Sequence, residues 1–156
     1  MSYIRELLPA DYPKLQDFLY HAIYQPPGTQ PLPKHTIFTP EIFVYIENFG
    51  KPNDYGVLAE QGGQTIGMAW ARIIPAYGNI DPSTTELAVS VLPEHRGQGI
   101  GTALLSSLFN LLRKHGHSQT SLSVQKANPA YRLYKRMGYK ILRENDEDYI
   151  LVKNLR

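Results

Sequence analysis

Three alternate glycines, Gly97, Gly99 and Gly101, lie between a run of strand-forming residues and an apolar helical repeat. Glycine adopts positive φ easily and lets the backbone come close to a ligand. The free N–H groups at a helix start, together with the helix dipole, can wrap a phosphate group. Arg96 adds a full positive charge beside the turn. This stretch therefore predicts a strand–turn–helix unit that binds a pyrophosphate.

The glycine spacing separates this turn from two other phosphate-binding turns. A dinucleotide-binding turn has the pattern Gly-x-Gly-x-x-Gly, whereas residues 97–101 have Gly-x-Gly-x-Gly. A P-loop has a lysine after its last glycine, but Gly101 is followed by Thr102. The turn could also serve only as a helix cap, although three glycines and an arginine exceed what a cap requires.

Apolar periodicity predicts the element order β-α-α-β-β-β-α-β-α-β-β. The predicted strands cover 4–8, 55–60, 65–74, 84–92, 121–124, 139–143 and 149–152, and the predicted helices cover 11–22 (with Asp11 as N-cap), 39–50, 100–115 and 128–138. Strands alternate with helices in the second half, which implies some parallel pairing. We therefore expect an α/β fold of mixed α+β type: a mixed central sheet of about seven strands with helices on both faces, in a single domain over residues 1–156.

Two segments carry a resemblance to a known family. The run from Arg96 to Gly101, Arg-Gly-Gln-Gly-Ile-Gly, resembles the Arg/Gln-x-x-Gly-x-Gly/Ala acetyl-CoA motif of the GNAT superfamily of N-acetyltransferases. The segment from Asn128 to Tyr139 is similar to the Asn-x-x-Ala-x-x-Leu-Tyr-x-x-x-Gly-Phe/Tyr segment of that family. It departs at one place, because the alanine is Ala130, one position early, and Tyr131 replaces it. With the element order, the resemblance spans nearly the whole chain.

The resemblance implies an acetyl-CoA-dependent N-acetyltransferase with the GNAT fold. It implies that N–H groups of the glycine turn hold the pyrophosphate and that backbone groups of Val89 and Val91 pair with the pantetheine arm. Asn128 would contact the cofactor, although it could also be a bare helix cap. The implied cofactor-binding residues are Val89, Val91, Arg96, Gly97, Gln98, Gly99, Ile100, Gly101, Thr102 and Asn128.

Tyr134 is the residue that the resemblance places beside the reacting sulfur. Coenzyme A leaves as a thiolate, and a nearby phenol can donate its proton to that sulfur as general acid. The alternative is a packed aromatic whose hydroxyl is satisfied elsewhere. Because the chain has no cysteine, an acyl-cysteine intermediate is excluded, which favours direct transfer in a ternary complex.

Glu86 is the candidate general base. It lies inside a strand that should be covered on both faces, where a carboxylate is costly unless it is paired or functional. Partial burial would raise its pKa. A glutamate at the wet start of the strand is the alternative, and so is a water relay, for which Ser90 shares strand parity with Glu86.

The acceptor site is predicted only from fold analogy. The loops 24–37 and 75–83 are the two variable segments nearest the cleft in the family, and their aromatics Tyr24 and Tyr77 are the candidate acceptor-binding residues. The acceptor could be a small-molecule amine, a peptide N-terminus or a protein lysine. The main alternative function is a non-catalytic acyl-CoA-binding sensor or interaction module on the same fold.

Charge and composition limit the other partners. The formal net charge is +2 and the basic residues are scattered, so no nucleic-acid partner is expected. There is no apolar run of about 20 residues and no signal-like N-terminus, so we expect no membrane partner and a cytoplasmic location. His115 and His117 are interpreted as the end of a helix and not as metal ligands. A homodimer is possible by analogy with the family.

Overall fold

Seven strands of the chain form one mixed sheet in the order β1-β2-β3-β4-β5-β7-β6, in a computed structural model that describes residues 2–156. The strands are β1 (Tyr3–Glu6), β2 (Tyr55–Gln61), β3 (Gln64–Arg72), β4 (Thr85–Val91), β5 (Gln119–Gln125), β6 (Lys140–Glu144) and β7 (Asp148–Asn154). The helices are α1 (Leu15–Ala22), α2 (Pro40–Phe43), α3 (Ile100–Lys114) and α4 (Tyr131–Arg136). The predicted fold class and element order are confirmed.

The strands alternate buried side chains between two faces, as the period-two pattern requires. On one face, Leu58, Met68 and Trp70 pack against α1 and the segment around α2. On the other face, apolar residues of β2 to β5 pack against the stripe of α3 that includes Leu104 and Leu108. Each such side chain contributes roughly 1.5–3 kcal/mol when it leaves water. The sheet is therefore covered on both faces.

The junction between β4 and β5 is where the sheet opens. Strands β1 to β4 form an antiparallel meander with continuous pairing between β3 and β4. Strands β4 and β5 are parallel, and they pair at only two positions, Thr85 with Thr120 and Glu86 with Ser121. Beyond these pairs the two strands diverge. A cleft between two such strands exposes backbone groups that a ligand can use.

The predicted second helix over 39–50 is wrong in its length, because α2 covers only Pro40–Phe43. Side chains of β3 bind the carbonyl groups that a longer helix would use internally. Arg72 Nη1 donates to the carbonyls of Val44 and Glu47 at 3.1 and 2.8 Å, and Trp70 Nε1 donates to the carbonyl of Tyr45 at 3.0 Å. Tertiary hydrogen bonds therefore replace helical ones after residue 43.

The first helix also differs from the prediction. Pro9–Lys14 is a 3₁₀ turn, and α1 begins only at Leu15. Asp11 is not an N-cap, because its buried carboxylate accepts the Leu8 N–H and a bidentate pair of hydrogen bonds from Arg5 at 2.8 and 3.0 Å. Within residues 2–156, no helix is long and apolar enough to cross a bilayer.

Candidate active site

The glycine turn between β4 and α3 has a backbone that only glycine adopts easily. Gly97 and Gly99 have φ of +77° and +81°, and no heavy atom lies within 4 Å of a Cβ built at either position. Gly99 is the N-cap of α3 and contributes no side-chain cap. The first helical bond runs from the Ala103 N–H to the Gly99 carbonyl at 3.1 Å. The N–H groups between these residues therefore have no partner inside the helix.

These free N–H groups border the larger of two adjoining cavities, with a volume of about 850 Å³. Of the predicted cofactor residues, Gln98 is exposed and is not among the wall residues that the structure describes. The predicted residues that do line the cavity are Val89, Val91, Arg96, Gly97, Gly99, Ile100, Gly101, Thr102 and Asn128. Arg96 is fixed there, because its Nε donates to the Val91 carbonyl at 3.0 Å.

Within residues 2–156, the charged side chains on this cavity's wall are Arg96 and Arg136, and the imidazoles of His21 and His95 also line it. Positive charge beside free N–H groups suits a ligand with several phosphates. We call this space the donor cavity.

The backbone of β4 adds a row of hydrogen-bonding groups to the donor cavity. The Leu92 N–H donates to the Ile66 carbonyl on the β3 side at 2.9 Å. Backbone direction alternates along a strand, so the groups of Val89 and Val91 face away from β3. They point to the side where β5 has already diverged. The Val91 carbonyl already accepts Arg96 Nε, so an extended ligand could pair with the Val91 N–H and the Val89 groups as an added strand.

The second cavity lies within the divergence of β4 and β5 and has a volume of about 410 Å³. Its walls include Leu87 and Ala88 from β4 and the residues 122–125 of β5. Tyr24 and Tyr77, which the sequence predicted for the acceptor, both line it. Among the described wall residues, the charged ones are Glu147 and Asp148, both acidic. We call this space the acceptor cavity.

The two cavities meet. The described residues that line both are Ala22, Ile23, Tyr24, Val89, Asn128 and Tyr134. Asn128 caps the turn before α4, because its Oδ1 accepts the Ala130 N–H at 2.9 Å. Tyr134, one turn into α4, packs edge-on against Tyr139 at 5.8 Å between ring centres. Burial raises the pKa of Tyr134 to about 12, so this phenol keeps its proton at neutral pH.

Glu86 lies at the closed end of the cleft, on the last paired position of β4. It is 1% exposed, which contradicts the alternative of a glutamate at a wet strand start. Its Oε2 accepts hydrogen bonds from the Tyr45 hydroxyl and from the Gly78 N–H, the latter at 2.8 Å. Its Oε1 is buried without a hydrogen-bond partner. Burial raises the pKa of Glu86 to about 7, although both hydrogen bonds act to lower it.

Two residues of this site, Tyr45 and Gly78, were not singled out by the sequence. Tyr45 lies three residues after Ile42 and four before Phe49, a spacing that puts it on the inward face of the predicted helix. Gly78 lies against β5, where a Cβ would come within 2.8 Å of backbone atoms of Leu122 and Ser123. No signal in the sequence marks Gly78 apart from its position in the loop.

Three other residues considered from the sequence, Ser90, His115 and His117, do not line the junction of the two cavities. The Ser90 hydroxyl donates to the Phe18 carbonyl at 2.7 Å, so it serves the packing of α1. His117 Nε2 lies 3.0 Å from the Tyr55 hydroxyl, and the His115 ring packs on the same tyrosine. Within residues 2–156, no cluster of three histidine or acidic side chains is arranged to hold a metal ion.

Comparisons with known proteins agree with this geometry. The profile of the Acetyltransferase (GNAT) family matches residues 10–139. A mycothiol acetyltransferase of Thermobispora bispora is 38% identical over 84 residues, which cover 53% of this chain and 28% of that protein. An N-alpha-acetyltransferase of Sulfurisphaera tokodaii is 27% identical over 106 residues, which cover 63% of this chain and 64% of that protein. The chain therefore spans less than a third of the first relative and just under two thirds of the second.

A solved structure shows the same fold over the whole chain. The PaiA N-acetyltransferase of Thermoplasma acidophilum, in complex with coenzyme A, superposes with a TM-score of 0.71, 20% identity and coverage of 99% of both chains. The family profile covers far more than half of the residues, including the glycine turn and α4. The chain belongs to the GNAT family of acetyltransferases.

Proposed function

We propose that the protein transfers the acetyl group of acetyl-CoA to a primary amine by direct transfer in a ternary complex. One observation carries this proposal: a basic cavity and an acidic cavity meet at Tyr134. The basic side suits the phosphates of the donor, and the acidic side attracts an ammonium group. Family membership and the coenzyme A bound to the PaiA relative support the choice of donor.

The donor would bind along the glycine turn and β4. The free N–H groups before Ala103 would hold the pyrophosphate, with Arg96 as the neighbouring cation. The pantetheine arm would pair with the backbone of Val89 and Val91 in the space left by β5. This arrangement would bring the thioester to the junction of the two cavities, beside Tyr134.

The reaction would then proceed without a covalent enzyme intermediate. Glu86 takes up one proton from the acceptor ammonium, and the neutral nitrogen attacks the thioester carbonyl. The C–S bond breaks, the sulfur takes the electron pair, and Tyr134 protonates it. Tyr134 regains its proton from the acylated nitrogen, so the products are the acetamide, coenzyme A and one proton on Glu86. The chain has no cysteine that could carry the acetyl group instead.

The acceptor class follows from the acceptor cavity and from the relatives. Its aromatic and acidic lining fits an amine attached to a slender chain or ring. The relatives are named for mycothiol and for N-alpha acetylation. We therefore propose a small-molecule amine or the amino terminus of a peptide as the acceptor.

The donor site is tested by isothermal titration of the protein with acetyl-CoA. Gly99→Glu puts a side chain at a left-handed position and a negative charge among the phosphates, so we expect at least a roughly 100-fold loss of affinity. Gly116→Glu is the matched control, because Gly116 has φ of +84°, has no atom within 4 Å of a Cβ, and follows the opposite end of α3. Equal losses in both variants, or no binding by the wild type, would contradict the donor site.

The activity is tested by thiol release from acetyl-CoA with a panel of amines. The panel contains benzylamine, aniline, spermidine, glucosamine and short peptides with free amino termini. Release that depends on an amine, with acetamide formation confirmed by mass, supports the transferase. Tight binding of acetyl-CoA without transfer to any member would support the alternative of an acyl-CoA-binding module.

A further inference from the structure

The acceptor cavity presents a phenol where a general base is needed. Tyr45 is on the described wall of this cavity, and Glu86 is not. The Tyr45 hydroxyl donates a hydrogen bond to Glu86 Oε2. Of this hydrogen-bonded pair, Tyr45 is therefore the member that borders the acceptor cavity.

Side chains of β3 hold Tyr45 in this position. The Tyr45 carbonyl accepts the Trp70 indole N–H at 3.0 Å, and Trp70 is fully buried. The carbonyls of Val44 and Glu47, on both sides of Tyr45, accept hydrogen bonds from the buried Arg72. The backbone of the tyrosine is thus fixed at three points. A hydroxyl that is fixed in advance costs little to orient during a reaction.

We propose that Tyr45 relays a proton from the acceptor ammonium to Glu86, so that Glu86 acts as base without touching the acceptor. This inference rests on the proposed transferase function. In the step, a lone pair of the Tyr45 oxygen accepts a proton from the ammonium nitrogen while the original hydroxyl proton moves to Glu86 Oε2. The phenol ends as it began, the amine becomes neutral, and the carboxylate becomes a carboxylic acid. Atoms and charge balance with no further reactant.

The electrostatics around the pair favour a concerted relay. Burial and the neighbouring carboxylate raise the pKa of Tyr45 well above its ordinary value, so a free tyrosinate is not an intermediate. Burial raises the pKa of Glu86 to about 7, which suits a base at neutral pH. The residue opposite Glu86 on β3 is Arg72, but its guanidinium is paired with Asp54 at 2.9 and 3.1 Å.

The remaining groups around Glu86 leave Tyr45 as the route for the proton. The loop before β4 contributes the Gly78 N–H, which donates a hydrogen bond to Oε2. A backbone amide nitrogen cannot accept a proton from the acceptor, so it cannot act as a relay. On β5, Ser121 is the pairing partner of Glu86, and its hydroxyl donates to the Gly78 carbonyl at 2.7 Å and not to the carboxylate. Among the groups that contact Oε2, only the phenol reaches the acceptor cavity.

The relay is tested with Tyr45→Phe, Glu86→Gln and the double variant, using two probe amines. Benzylamine is an ammonium ion at neutral pH and needs the relay, whereas aniline is already neutral. We expect each single variant to lower kcat/KM for benzylamine by about 10²-fold and to change that for aniline by less than about tenfold. The double variant should be no slower than the slower single variant, because the two residues act as one unit. Tyr12→Phe, a tyrosine of the same core face outside both cavities, should retain wild-type activity.

A second readout does not depend on turnover. The pKa of Glu86, followed by NMR of carboxyl-labelled glutamate, should rise above its wild-type value in Tyr45→Phe, because the lost hydrogen bond lowers that pKa. The benzylamine rate of the wild type should rise with pH through this same pKa. An unchanged Glu86 titration in Tyr45→Phe would overturn the relay.

Activity measurements distinguish failure of the Tyr45 relay from failure of the proposed transferase function. An active wild type with an unimpaired Tyr45→Phe variant would overturn the relay alone and leave the transferase intact. A wild type that binds acetyl-CoA but acetylates no amine would overturn the transferase and the relay with it.

Discussion

The donor cavity and the acceptor cavity share Tyr134, but they are built in different ways. One continuous stretch, from the end of β4 through the glycine turn into α3, supplies the backbone groups of the donor cavity, and residues of α1, the loop after it and α4 complete the wall. The acceptor cavity draws residues from many elements: α1, α2 and the segments after them, the loop before β4, β4, β5, α4 and the β6–β7 turn. A site made of backbone groups keeps its ligand when the side chains around its glycines are substituted. A site made of side chains changes its ligand preference with each substitution. A fold that binds its donor through backbone groups can therefore vary its acceptor through side chains alone.

The largest expected effect is on the support of the acceptor cavity. Arg72→Ala would leave the carboxylate of Asp54 buried without its partner and the carbonyls of Val44 and Glu47 without their donor. We expect a loss of about 3–5 kcal/mol in the free energy of unfolding, measured by urea denaturation. In the folded variant, acetyl transfer should fall while acetyl-CoA affinity stays near the wild-type value.

The control for this prediction is Arg113→Ala. Arg113 donates to the Leu155 carbonyl and to the Asn110 side chain, and it leaves no buried carboxylate behind. Its removal should cost about 1 kcal/mol. If Arg72→Ala weakened acetyl-CoA binding as strongly as it weakened transfer, the two cavities would not be supported independently, which would contradict the contrast between them.

The second prediction concerns the residue at the junction of the cavities. Tyr134→Phe removes the proposed proton donor for the departing thiolate but keeps the buried ring that packs on Tyr139. We expect kcat to fall by about 10²-fold with the acetyl-CoA dissociation constant unchanged. Stopped-flow thiol release and titration calorimetry measure the two quantities. Tyr131→Phe, on the same helix but packed against Tyr149, should be close to the wild type. Full activity of Tyr134→Phe would remove it from the acid role.

The same contrast explains how much of the molecule the sequence predicts. The sheet, the order of elements and the glycine turn follow from local patterns, because periodicity and glycine spacing act over a few residues. Tyr45 and Glu86 are 41 positions apart, and their hydrogen bond depends on Arg72 and Trp70 shortening the second helix. Helical periodicity over 39–50 carries no sign of those bonds. The sequence therefore indicates Glu86 as a candidate base but gives no sign of the phenol that is hydrogen-bonded to it.

The smallest expected effect separates the walls of the two cavities. Tyr77 lines only the acceptor cavity among the described residues and is 59% exposed, whereas Tyr24 lines both cavities. We expect Tyr77→Ala to raise KM for the best amine of the panel about fivefold to tenfold, because the variant loses one partly buried aromatic contact with the amine. Its affinity for acetyl-CoA should be unchanged. Tyr24→Ala should raise KM similarly and also weaken acetyl-CoA binding, because its ring is shared. Steady-state kinetics with each substrate varied in turn separates these effects. If Tyr77→Ala changed only KM for acetyl-CoA, or if both variants left KM for the amine unaltered, Tyr24 and Tyr77 would not be acceptor-binding residues. The acceptor would then have to be bound by other residues of this cavity, among them the acidic Glu147 and Asp148.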